Sequence, residues 1–243
     1  MKIYRACITG TRNTMKRRAC QDCCDYMVTS DNFVMAALSD GAGSAKFSDF
    51  AARENVHAFF TLFRRYEAAD LLQINDRAMA EDVIHFCRMA QESLAGRIGT
   101  ELRELSATLI GFVICAEEIM IFHIGDGAAY ISDKNGKIRC VSKPENVMGM
   151  SNRTRFTVDG NADKYMRVTR IARDEVNAIC IFSDGVFPTK KDDKIAEELK
   201  KIFTKTKSNR RLCELIDSRE ANEYGDDHSM ILVNLRDNNG AED

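Results

Sequence analysis

The sequence is poor in proline, with two residues in 243, and it lacks both an excess of one charge and any long apolar run. Scarce proline beside 44% hydrophobic and 30% charged residues excludes a disordered chain and fits a globular one. The 35 basic and 37 acidic residues leave a formal net charge of -2, which excludes a general binder of nucleic acid or of a membrane surface, since such proteins carry a basic excess. No run approaches the length of a membrane span, and the opening MKIYRACITGTRN has no signal-peptide apolar core. A single cytoplasmic domain over residues 1–243 is the expectation, since one domain of this size buries a sizeable core.

Nine cysteines are present, an odd number that cannot pair completely. Cys115 and Cys180 lie in apolar runs (GFVICA, NAICIF), where a free thiol packs as a small hydrophobe. No C-x-x-C pair is followed by a second one or by a histidine pair, as a zinc site requires. Cys20, Cys23 and Cys24 form the only cluster, open to a metal or redox role as well as a structural one. A reducing compartment follows.

Short strands are expected at residues 3–9, 26–29 and 33–38, which are rich in Ile, Val, Tyr, Phe and Met and broken by polar turn residues. From about 47 to 66 the period becomes helical, with Val56, Phe59, Phe60 and Phe63 on one face, and a second helix spans about 80 to 96. LSATLIGFVICA, EIMIFHIGDGAAYISD and KIRCVS then suit neighbouring antiparallel strands. The polar stretch 143–164 has no sustained period, NAICIFS reads as a strand, helices follow at about 193–204 and 209–217, and SMILVNL closes as a strand. Strands, two helices, strands, two helices and a strand predict sheets flanked by helices, an α+β fold and not a regular parallel βαβ sheet.

Asp22, Asp40, Asp184 and Asp226 each stand at the start or end of an apolar strand. Alone, each reads as a turn residue. Together, carboxylates at strand ends of a layered fold can converge at one edge, where hard oxygen donors suit Mg²⁺ or Mn²⁺ and a bound cation offsets their repulsion.

The order of these segments resembles the PP2C (PPM) family of metal-dependent protein serine/threonine phosphatases, and in particular its bacterial branch. The pieces are Cys20-Gln21-Asp22, Asp40-Gly41-Ala42-Gly43-Ser44-Ala45, Ser106-Ala107-Thr108-Leu109, Gly125-Asp126-Gly127, Phe182-Ser183-Asp184-Gly185 and Gly225-Asp226-Asp227-His228-Ser229. The resemblance implies a four-layer α-β-β-α sandwich of two antiparallel sheets with two Mn²⁺ or Mg²⁺ ions in a cleft at one end. Asp40 would bridge both ions, the Gly41 carbonyl would bind one, and Asp184 and Asp226 would complete the other's shell. Asp22 would hold bound waters, and Asp126 with Asp184 can hold a third ion. A water bridging the two ions would then attack phosphoserine or phosphothreonine of a protein substrate, such as the target of a Ser/Thr kinase.

Departures from the family pattern are Ala42 where a histidine often stands, Gly127 for a serine and Asp227 for an asparagine. Arg17, five residues before Asp22, has the spacing of an arginine that holds substrate phosphate, or it belongs to a solvated basic turn Lys16-Arg17-Arg18. His57 and His85 fall in amphipathic helices and His123 in an apolar strand, the contexts of structural histidines, whereas His228 follows the Asp226-Asp227 pair toward the cleft. The family's variable flap falls at 143–164, where Val147, Met148, Met150, Phe156, Arg153 and Arg155 could meet a peptide, against the plainer reading of a self-packed surface loop. Alternatives of another class are a phosphoprotein-binding pseudophosphatase and a two-metal hydrolase of another phosphomonoester. The presence of Asp40, Asp184 and Asp226 favours the active enzyme.

Overall fold

The computed structural model describes residues 1–29, 33–145, 154–188 and 192–236, with the backbone alone at 68 and 69. The first half runs β1 (Lys2–Ile8), α1 (Thr11–Met15), β2 (Asp22–Val28), β3 (Val34–Asp40), α2 (Ser48–Phe63), α3 (Ala68–Leu71), α4 (Asp76–Ile98), β4 (Leu109–Ile114) and β5 (Glu118–Ile124). It continues through β6 (Ala128–Asp133), β7 (Ile138–Ser142), α5 (Ala162–Tyr165), β8 (Arg167–Ala172), β9 (Val176–Phe182), α6 (Asp192–Lys205), α7 (Asn209–Ile216), α8 (Arg219–Tyr224) and β10 (His228–Asn234). Two five-stranded sheets result, ordered β1-β10-β9-β6-β7 and β2-β3-β4-β5-β8, and every pairing is antiparallel.

Alternation along each strand builds the layers. Val34, Ala36 and Leu38 of β3 meet Ile179 and Ile181 of β9 and Ile231 of β10 between the sheets. The intervening Met35 and Ala37 face the other way, onto the Phe59 and Phe63 side of α2 and the Met79 and Val83 side of α4. On the opposite surface, Cys180 and Leu232 pack under Leu199 of α6 and Leu212 and Ile216 of α7. The order of layers is therefore α-β-β-α, as the family resemblance implies. A central strand covered on both faces must be apolar throughout, which explains the unbroken run in β3.

Phe59, Phe63 and Phe122 form the densest aromatic contact, with ring centroids 4.6, 5.0 and 5.7 Å apart. Phe59 is fully buried, so its truncation to alanine is expected to cost about 3–5 kcal/mol. The stretch 118–133 divides at Gly125, whose φ of 127° lets the chain leave one sheet as β5 and enter the other as β6. Asp126 sits in this crossing.

Candidate active site

Strand ends from both sheets meet at one edge of the sandwich. Asp22 opens β2 and Asp40 closes β3, directly paired across the ladder. Asp184 begins a single 3₁₀ turn after β9, Asp126 lies between β5 and β6, and Asp226 follows Gly225, the left-handed cap of α8 at φ 83°. Asp40, Asp126, Asp184 and Asp226 line one cavity of about 190 Å³, together with Gly41, Thr154 and Phe156. Two positions there tolerate only glycine for reasons of space. A Cβ on Gly41 would lie 2.7 Å from the Ser48 carbonyl oxygen, and one on Gly185 would lie 2.1 Å from that of Asp227.

Asp22 lies behind the cavity, buried, with its Oδ2 accepting hydrogen bonds from Ser183 Oγ at 2.8 Å and Ser229 Oγ at 2.7 Å. Among the described residues its Oδ1 has no hydrogen-bond partner, and neither has Oδ1 of Asp126, although both atoms are buried. Burial, first, and the neighbouring carboxylates push Asp184 up to about 8. Burial likewise raises Asp22 to about 7, against the two serine hydroxyls, and raises Asp126. Asp40 is raised well above the carboxylate range by burial and by the charges of Asp22, Asp184, Asp126 and Asp226. Clustered carboxylates with an orphaned buried oxygen on Asp126 fit a divalent cation, which would offset the repulsion, and the orphaned oxygen of Asp22 behind the cavity fits a bound water. Among the described residues, no three carboxylates, imidazoles or thiols are already drawn to a common point. The donor set is thus assembled without being closed.

Asp227 fixes the loop that borders this edge. Its Oδ1 accepts from Gly10 N at 2.7 Å, and its Oδ2 accepts from Asn13 Nδ2 at 2.9 Å and Gln21 N at 2.6 Å. Three donors need the two acceptor oxygens of a carboxylate, and an asparagine would turn its NH₂ against at least one of them. Gln21 passes the constraint on, donating to Ser48 Oγ at 2.6 Å and accepting from Gly41 N at 3.1 Å through its carbonyl.

Arg12, which the sequence reading does not single out, brings its Nη1 to 3.4 Å from Asp226 Oδ2 and donates through Nη2 to the Tyr224 carbonyl at 3.1 Å. Arg17 is exposed, at φ 53°, and lines neither this cavity nor the groove beside it, whereas Arg18 lines the groove. Nothing in the spacing marks Arg12, because its proximity depends on α1 packing against the 224–226 segment. Tyr224 is a second such residue, its phenol pushed up by the charge of Asp184 ahead of burial.

The remaining candidates separate. His228 is buried, with Nδ1 3.2 Å from the Asp226 carbonyl oxygen and Nε2 3.8 Å from Asp217, and it does not line the cavity. His123 pairs with Ser142 Oγ at 2.7 Å, and His57 and His85 lie in a groove between α2 and α4. Adjacent in β2, Cys23 and Cys24 face opposite sides, packing in different apolar clusters, and Cys20 Sγ lies 3.6 Å from Cys7 Sγ, so the three do not converge. Residues 146–153 of the expected flap lie outside the described residues. Of its flanks, Thr154 and Phe156 line the cavity, and Arg155 pairs with Glu145 at 3.1 Å.

The model of the family described as Protein phosphatase 2C matches residues 9–228. No curated protein matches the sequence at comparable stringency. Among solved structures, the chain is similar to the serine/threonine phosphatase Stp1 from Staphylococcus aureus, at 13% identity over 98% of this chain and 96% of that one, with a TM-score of 0.69. It is similar also to the catalytic domain of the serine/threonine protein phosphatase PstP in complex with two manganese ions, at 16% identity over 97% and 98% of the chains and a TM-score of 0.68. The S. agalactiae serine/threonine phosphatase matches at 14% identity over 97% and 99%, with a TM-score of 0.67. At such identities the structural likeness is one of fold.

Proposed function

This chain belongs to the protein phosphatase 2C family, and from that premise we propose that it hydrolyses phosphoserine and phosphothreonine in proteins with the help of two Mn²⁺ or Mg²⁺ ions. The observation that carries the reading is the convergence of Asp40, Asp126, Asp184 and Asp226, from four separate chain segments, on one cavity. The orphaned Oδ1 atoms of Asp22 and Asp126 support it. The two manganese ions of the PstP structure favour Mn²⁺ as the first ion to try.

Asp40, the Gly41 carbonyl, Asp184 and Asp226 would hold the two ions, and Asp126 with Asp184 a third. When bound, such ions supply the charge that makes water a nucleophile near neutral pH and that offsets negative charge on the phosphoryl oxygens. Asp22, fixed by Ser183 and Ser229, presents its free Oδ1 as an acceptor for water at the back of the site. Arg12 of α1, beside Asp226, would meet substrate phosphate, and Arg17, just past the end of α1, would do so only by turning its exposed side chain toward the cavity. The flap role proposed for residues 143–164 is supported on the described flank by Thr154 and Phe156, which line the cavity. The partners are phosphorylated proteins, including products of a Ser/Thr kinase. No described helix is long and apolar enough to cross a membrane.

Phosphate release from phosphoserine and phosphothreonine peptides, measured with Mn²⁺, with Mg²⁺ and with EDTA, tests this. Metal-dependent release is expected. Release of equal rate in EDTA would end the metal-dependent reading, and no release with any metal would end the enzymatic one.

A further inference from the structure

A groove of about 530 Å³ opens beside the carboxylate cavity and shares Gly43 and Ser44 with it. Its walls come from the loop before β2, through Arg18 and Gln21, and from the segment entering α2, through Lys46, Phe47 and Phe50. The walls are held together by the bond from Gln21 Nε2 to Ser48 Oγ at 2.6 Å, and Lys46 and Phe47 are pinned through their backbone N–H groups to Glu104 at 3.0 and 2.9 Å. This is a built recess, within the size range of ligand clefts, about 300–1,000 Å³.

Its chemistry differs from that of the cavity it adjoins. Phe50 is 49% exposed, and among the described residues no other phenylalanine is an exposed side chain. Phe50 and Phe47 lie 6.4 Å apart at a tilt, and the Lys46 ammonium sits 5.0 Å from the Phe47 ring centre. Arg18 and Lys46 face a single acid, Asp49, in the lining. The surface therefore offers an aromatic edge and a net positive charge, immediately next to a cavity lined by four aspartates.

Resting on the phosphatase reading above, we infer that this groove seats the polypeptide flanking the phosphorylated residue. It takes a substrate segment with an apolar or aromatic side chain against Phe47 and Phe50 and a carboxylate against Lys46 and Arg18. Continuity through Gly43 and Ser44 sets the order, with the phosphoryl group in the cavity and its neighbours along the groove. The extended chain advances about 3.3 Å per residue, so the side chains read are those within a few residues of the phosphate. A small aryl phosphate reaches the cavity without entering the groove.

The test uses the Mn²⁺-loaded protein of residues 1–243 and its Phe50→Ala and Lys46→Glu variants. The substrates are 4-nitrophenyl phosphate, a phosphothreonine peptide with Phe and Glu within three residues of the phosphate, and the same peptide with both replaced by serine. Each variant is expected to lower kcat/KM for the Phe/Glu peptide by roughly five- to tenfold and to leave the aryl phosphate and the serine peptide within about twofold. Equal losses on all three substrates, or none on the peptide, would overturn the inference. Anisotropy of the labelled Phe/Glu peptide, read without turnover, separates this result from the fate of the parent reading. Weaker binding to both variants supports the groove even in a protein without activity, and unchanged binding removes it. Self-association of the wild type that Phe50→Ala abolishes would assign the face to a second copy of the chain and overturn the peptide assignment.

Discussion

Asp22 and Asp40 stand directly opposite each other across the β2–β3 ladder, placing two carboxylates of like charge side by side at the edge of a sheet. Burial first, and the charges of neighbouring carboxylates after it, hold Asp22, Asp40 and Asp184 toward their protonated forms. A carboxylate raised in the fold binds more protons folded than unfolded, so its contribution to stability is present at low pH and is lost as pH rises. The window runs from the ordinary carboxylate value of 3.8 to about 8, the value for Asp184. In EDTA, the melting temperature is expected to fall by several degrees between pH 5.5 and pH 8.5, at about 2–4 °C per kcal/mol for a chain of this size. Mn²⁺ should restore more at pH 8.5 than at pH 5.5. Thermal denaturation over that grid checks both signs, and a metal-free protein that gains stability toward pH 8.5 would contradict them.

Removing one charge from the cluster separates function from stability. Asp40→Asn and Asp184→Asn are each expected to reduce kcat by about a hundredfold or more, since a neutral amide is a poor donor to a hard cation. Both should melt no lower than the wild type in EDTA, because burial and mutual repulsion already disfavour these charges. Wild-type turnover in either variant would remove that residue from the site.

Asp227 serves the same edge by hydrogen bonding. Asp227→Asn leaves at least one of the donors from Gly10, Asn13 and Gln21 unsatisfied in a buried setting, at a cost of about 1–3 kcal/mol. Urea denaturation should show that loss, and metal activation should require more Mn²⁺, since the loop braces Asp226 through Arg12. An unchanged midpoint would mean that the loop finds other partners.

Asp126 closes a different side of the cavity, in the crossing between the two sheets. Asp126→Ala is expected to slow turnover at low Mn²⁺ and to spare tight binding of the first two ions. A superimposable metal-activation curve would reduce Asp126 to the turn residue of Gly125-Asp126-Gly127.

The layers were legible because burial imposes its period on the sequence. Val56, Phe59, Phe60 and Phe63 announce α2, and the uninterrupted apolar run of β3 records a strand covered on both sides. β8 leaves no apolar pattern in the sequence because Arg167 and Arg170 interrupt it, and as an edge strand it carries a single residue, Ile171, buried to core level. The stretch from 118 to 133 read as a continuous β region because nothing in an apolar pattern says which sheet each half joins. The aspartates were visible from their strand-end contexts, whereas Arg12 and Tyr224 depend on α1 and α8 packing together. No local spacing reports that contact.

The central claim, that the aspartate cavity is a two-metal catalytic site, is tested most directly by titrating metal-free protein with Mn²⁺ while following calorimetric binding and phosphopeptide hydrolysis in the same samples. Two tightly bound Mn²⁺ per chain are expected, with turnover rising as the second fills and both signals lost in Asp40→Asn. Hydrolysis that reaches its full rate before any Mn²⁺ binds, or two ions still bound after Asp40→Asn, would contradict it.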